Sequence, residues 1–116
     1  MDPIERHLKM MLSDQVVFFD LSPLSVRGSE RRMKVDIRVS EMITILGEAT
    51  LVVTVRHLVT PAVPMGSPQR FQLRGPIAQM SSHEFRVSVV LPLERVIVRF
   101  LLTDEKQVLA DESREA

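Results

Sequence analysis

Between residues 31 and 40 the chain alternates without a break: Met33, Val35, Ile37 and Val39 on one register, Arg32, Lys34, Asp36 and Arg38 on the other. A period of two sends successive side chains to opposite faces of a strand, so this stretch needs a core on one side and water on the other. A helix would scatter the same apolar residues around its axis. The period returns over residues 49–58, where Ala49, Leu51, Val53 and Val55 oppose Thr50, Val52, Thr54 and Arg56, and again over 84–91 and 95–103. The chain is therefore expected to be all-β and mainly antiparallel.

The remaining segments fit around these strands. Residues 15–20 are branched and aromatic and read as a strand broken by Leu21-Ser22-Pro23. Residues 42–46 and 49–58 flank Gly47-Glu48, which suits the turn of a hairpin; the competing reading caps one turn of helix with Ser40 and ends it at Gly47. Residues 59–69 contain Pro61, Pro64, Gly66 and Pro68 and read as one long loop. Residues 70–74 form a further strand and 107–110 a short edge strand, and 111–116 are expected to be a flexible polar tail. Ahead of the strands, Asp2, Pro3 and Glu5 carry helix-start signals, and Ile4, Leu8 and Met11 share a face, so a short helix is expected over 2–12. The sum is one domain over residues 1–110, a six- to seven-stranded β-sandwich or small barrel with one N-terminal helix.

Composition narrows the function classes. Fifteen basic and fifteen acidic residues cancel, which leaves no net field to attract nucleic acid or an anionic membrane. The absence of Cys removes disulfides, thiol nucleophiles and zinc-thiolate sites, and is consistent with a reducing, cytoplasmic location. The start, Met1-Asp2-Pro3-Ile4-Glu5-Arg6, lacks the pattern of a signal peptide, and runs such as Val16-Val17-Phe18-Phe19 are too short to span a bilayer.

Catalytic patterns are missing. His7, His57 and His83 have no metal-motif spacing, so no metal or other cofactor is expected, and Ser81-Ser82-His83 reads as a polar turn. The carboxylates are scattered singly, and Gly28, Gly47, Gly66 and Gly75 read as turn residues and not as a phosphate loop. With no Trp or Tyr, and with Phe18, Phe19, Phe71, Phe85 and Phe100 at strand positions, an aromatic platform for sugars or single-stranded nucleic acid is not expected.

One basic cluster stands out, Arg27-Gly28-Ser29-Glu30-Arg31-Arg32, a turn feeding a strand. Guanidinium groups of Arg27, Arg31 and Arg32 could converge there on an anion. The Arg27-x-x-x-Arg31 spacing ahead of a strand resembles the first half of the PilZ family signature, a resemblance confined to these few residues. It implies a small barrel that binds a cyclic dinucleotide, hence a small phosphorylated ligand as the alternative partner. The Asp/Asn-x-Ser-x-x-Gly element of that family does not occur in this chain.

The other clue is surplus apolar surface. Ile97 and Leu101 fall on the face opposite Val96, Val98, Phe100 and Leu102; Val16 to Phe19 are apolar on both faces; Val52, Leu58 and Val90 interrupt polar ones. Strands apolar on both faces need cover beyond one core. Met10, Met65 and Met80 would suit an adaptable contact. The sequence thus points to a non-enzymatic interaction module, self-associating or bound to another protein, with Val16, Phe18, Ile97, Leu101, Val63 and Met65 as interface residues.

Overall fold

The alternating segments pair into two antiparallel sheets. The computed structural model describes residues 16–73, 79–81 and 83–116, and within them eight strands: β1 (Val17–Arg27), β2 (Glu30–Val39), β3 (Thr50–His57), β4 (Gln69–Gln72), β5 (Gln79–Ser81), β6 (Glu84–Pro92), β7 (Val96–Thr103) and β8 (Val108–Glu115). One sheet has the order β1-β2-β6-β5, the other β4-β3-β7-β8. The expected all-β sandwich is found. The helix expected over 2–12 lies outside the described residues.

Each sheet turns its apolar register inward. Val35, Ile37 and Val39 of β2 and Val87, Val89 and Leu91 of β6 face Leu51, Val53 and Val55 of β3 and Val96, Val98, Phe100 and Leu102 of β7 in one buried cluster. Phe19 crosses from the first sheet to stack on Phe100 of the second, ring centroids 4.9 Å apart. The polar register stays outside and pairs with itself: Arg86 reaches Asp36 at 2.7 Å, and Arg99 and Asp111 make a two-pronged pair at 2.7 and 2.8 Å. The Arg99 hydrogen bonds hold the Asp111 carboxyl below its ordinary range.

Three expectations are corrected. Residues 42–46 are not a strand, and no hairpin turns at Gly47; residues 40–49 instead carry the chain from the first sheet to the second, with Ile43 and Ile45 packed against the core. The segment begins with a single turn, in which the Ile43 N–H donates to the Ser40 carbonyl and the Met42 N–H to the Ser40 hydroxyl. Second, β1 continues through Leu21-Ser22-Pro23 and absorbs the proline in a register shift between Pro23 and Ser25, which an edge strand tolerates because proline's missing donor faces no neighbour. Third, residues 111–115 are not a tail. They complete β8 against β7, from Leu101↔Asp111 to Ile97↔Glu115, and Ala116 exchanges both backbone hydrogen bonds with Val96 at 2.9 Å.

The end that carries Gly47 is tied by Asp104. Its carboxylate accepts hydrogen bonds from the Leu46, Lys106 and Gln107 N–H groups at 2.8–2.9 Å, which lowers its pKa from 3.8 to about 2. Gly47 has φ +76°, a left-handed conformation that strains a residue bearing a Cβ, and a Cβ there would also push aside the Glu105 carboxyl. A folded-state pKa below the unfolded one stabilises above the unfolded value and is lost as pH falls through the folded one. The stability gap between wild type and Asp104→Asn, measured by urea unfolding, is therefore expected to be full above pH 4 and to close progressively towards about pH 2. At the core, Phe100→Ala is expected to cost about 3–5 kcal/mol in the same measurement.

Candidate functional site

Strand register gathers the chain's notable residues at one end of the sandwich. Glu30 pairs with Pro92 and His57 with Val96, so the β1–β2 turn, the 58–68 loop and the β6–β7 turn all lie there. Between them opens a cavity of about 310 Å³, lined on its apolar side by Val55, Met65, Leu91 and Pro92 and on its polar side by Glu30 and Gln69. Apolar side chains of the same end are exposed: Val26 is 69% accessible, Val59 91%, Val63 47% and Leu93 51%.

The 58–68 loop holds its shape despite its prolines, because donors at other positions do the pairing. The Met65 N–H donates to the Val55 carbonyl at 2.8 Å and the His57 N–H to the Val63 carbonyl at 3.2 Å, which extends the β3 edge past its last paired residue. Arg56 reaches the Pro61 and Ala62 carbonyls at 3.3 and 3.4 Å and fastens the tip. Met65 is thereby half-buried against the core, whereas Val63 stands in solvent.

The three arginines of the β1–β2 turn do not converge. The Arg31 guanidinium is spent on main-chain oxygens, Nε donating to the Pro92 carbonyl at 2.8 Å and Nη2 to the Glu94 carbonyl at 3.3 Å. It ties the hairpin to the β6–β7 turn. Arg27 and Arg32 are exposed, and Arg32 stands opposite Ser25 and Val90 on the outer face. Sequence reasoning grouped these residues by proximity along the chain; strand alternation sends neighbouring side chains apart.

The remaining interface candidates are spread over both sheets. Phe18 is half-buried on the outer face of the first sheet, opposite Arg38, and Val16 precedes β1 at the far end. Ile97 and Leu101 lie on the outer face of the second sheet, half-buried and flanked by charge: Ile97 between Arg56 and Glu115, Leu101 between Val52 and Asp111. These apolar positions are interleaved with ion pairs and form no continuous patch.

Sequence reasoning missed Gln69. Its carboxamide spans the gap between the sheets, Nε2 donating to the Val90 carbonyl at 2.8 Å and Oε1 accepting from the Val90 N–H at 2.9 Å. A glutamine at the start of a short strand carries no signal of such a contact. Among the described residues no group of three or more His, Asp or Glu side chains is placed to hold a metal ion. His83 sits against the Ile43 carbonyl at 3.1 Å, and His57 ends β3.

A strand order of β1-β2-β6-β5 facing β4-β3-β7-β8 is that of an immunoglobulin-like β-sandwich, with the two sheets in the A-B-E-D and C′-C-F-G arrangement. The sheets remain separate, unlike the small barrel that the Arg27-x-x-x-Arg31 resemblance implies. No protein-family model matches the sequence, and no curated protein matches it. Among solved structures the fold is similar to part of a protein assigned as a β-galactosidase from Bacteroides fragilis, with TM-score 0.52 and 11% identity over 87% of this chain. A β-glucosidase from Kluyveromyces marxianus aligns with TM-score 0.44 and 13% identity over 88% of this chain. This chain spans only 16% and 14% of the length of those two proteins.

The division of labour among the arginines can be measured. Arg31→Ala is expected to lose about 1–2 kcal/mol of stability, since two main-chain acceptors lose a charged donor. Arg27→Ala and Arg32→Ala should stay within about 0.5 kcal/mol of wild type, as exposed substitutions without such partners do. Equal losses at all three positions in denaturant melts would contradict the assignment.

Proposed function

We propose that this chain is a non-enzymatic interaction module that engages a protein partner through the loop end of the sandwich. The observation that carries the reading is the concentration of exposed apolar side chains there: Val26, Leu58, Val59, Val63 and Leu93, half of the ten large apolar residues that the described part of the chain exposes. Exposed apolar side chains gathered at one end of a domain are what a protein contact buries. The outer sheet faces suit this less well, because their apolar residues alternate with ion-paired ones. The partner is another protein or a second copy of the chain, met in a cytoplasmic setting, a location consistent with the cysteine-free sequence.

Self-association by strand pairing is poorly served at the outermost strands. β1 carries Pro23 and a register shift; β8 points Arg114 and Glu112 inward and shifts register at Leu102/Thr103; β4 and β5 are four and three residues long. Each is a recognised way of blunting a sheet edge.

The test is photo-crosslinking in the native host from a reactive amino acid at position 63, compared with one at position 97. Adducts of a defined mass are expected from 63 and not from 97, and Val59→Asp with Leu93→Asp should abolish them while far-UV circular dichroism stays unchanged. Adducts that persist in the double variant, or that form equally from position 97, would sink the loop-end reading. Light scattering over a wide concentration range then decides between partners, a mass above 13.2 kDa marking a second copy.

A further inference from the structure

The Gln69 contact has a feature that the packing of a sandwich does not require. β6 pairs with β2 along its whole length, from Glu84↔Arg38 to Pro92↔Glu30, but on its other side β5 reaches only Phe85 and Glu84. From residue 86 onward, no strand among the described residues adjoins that side. Val90 presents its N–H and C=O there, and both are taken by a single side-chain carboxamide at 2.9 and 2.8 Å. A carboxamide is the chemical equivalent of a peptide group, and donating to the carbonyl and accepting from the N–H of one residue is what an antiparallel neighbour does. Ser88, two residues back, points its main chain the same way by the strand period.

The cavity adjoins this edge. Val90, Leu91 and Pro92 form one wall; Val55 and Met65 supply further apolar lining; Glu30 and Ser67 stand at its polar side. At about 310 Å³ it is at the small end of ligand pockets and holds one or two side chains. Glu30 makes no ion pair among the described residues.

We propose that the β6 edge at Ser88–Val90, with the adjoining cavity, accepts an extended peptide strand of a partner protein, and that Gln69 is the latch occupying this edge in the free chain. The occupant is identified by what the edge already holds: a peptide-like amide on Val90, an apolar recess beside it, and one unpaired carboxylate. The fitting segment is extended, places an apolar side chain in the recess and sets a basic residue against Glu30, which is strand addition with a side-chain pocket for specificity. The inference rests on the interaction-module reading and names the mode of contact. Arg31 holds the Pro92 carbonyl, so the accessible stretch ends at Val90.

The test uses the ¹⁵N-labelled full chain and two blocked peptides, acetyl-Thr-Val-Thr-Lys-Thr-amide, in which Val and Lys share a face, and its Glu counterpart. The Lys peptide is expected to shift the Ser88 and Val90 amide resonances, and to bind Gln69→Ala about ten-fold more tightly than wild type because two hydrogen bonds no longer have to be displaced. Glu30→Gln should erase the preference for Lys over Glu. Should Gln69→Ala fail to fold, Gln69→Glu serves the same purpose, since it cannot donate to the Val90 carbonyl. Unmoved Ser88 and Val90 amides in the latch variant at millimolar peptide would overturn the proposal, as would a latch variant that dimerises through Val90 without peptide. Shifts confined to Val26, Val63 and Leu93 would leave the module reading standing and remove strand addition.

Discussion

Phe100 has no accessible surface, and the ring stacked on it belongs to the opposite sheet. That contact, Phe19 against Phe100 across the sandwich, fixes which face of each sheet turns inward, and with it the position of every outward residue. A one-residue slip of β7 would expose Val98 and Phe100 and bury Ile97 and Arg99, an exchange the core cannot accommodate. The edge strand depends on the same ring. Arg114 of β8 lies 5.9 Å from the centroid of Phe100 and is held by both Glu112 oxygens at 2.8 Å, so a charged pair lies over an aromatic ring where a continuing sheet would have an apolar side chain.

The same register explains how much the sequence revealed. β2, β3, β6 and β7 are legible because the inward register of each is apolar without a break and each is central to its sheet. Residues 42–46 mislead for a related reason. Met42, Ile43, Ile45 and Leu46 have strand composition, but Ile43 and Ile45 seal the open end of the core from a crossing segment. Apolar content reports the need for burial, not the means of it. β8 misleads in the opposite sense: Asp111-Glu112-Ser113-Arg114-Glu115 reads as solvent, and its place in the sheet comes from main-chain pairing with β7 and from the Arg99–Asp111 and Arg95–Glu115 pairs, whose arginines lie on β7 and just before it. Such long-range terms leave no mark in a window of ten residues.

The candidate site was legible in its parts and not in its arrangement. Loop composition points to Val63 and Met65, and charge to the arginine turn, but nothing local places Glu30 and Met65 on one cavity. That juxtaposition follows from two hairpins in different sheets reaching the same end. The apolar surplus at Ile97 and Leu101 was read correctly as outward-facing and less well as a patch. A surplus becomes a surface only if cross-strand neighbours agree, and here Arg56, Glu115 and Asp111 interrupt it.

An open sandwich has four strand ends to its sheets, and this chain treats them unequally. β1 and β8 are long and are made unsuitable by proline, register shifts and inward charge; β4 and β5 are too short to template a partner. Among the described residues β5 pairs with only the first part of β6, and β6 is neither short, nor bulged, nor charged on its inward face. Such an edge would be the aggregation hazard of the fold unless something occupied it. A side chain from the other sheet does so at Val90, bonded to donor and acceptor together. A side chain can leave by rotation about its own bonds, whereas a proline or a missing strand cannot. Protection by Gln69 is therefore reversible, and β6 is where an edge kept safe in isolation stays available for binding.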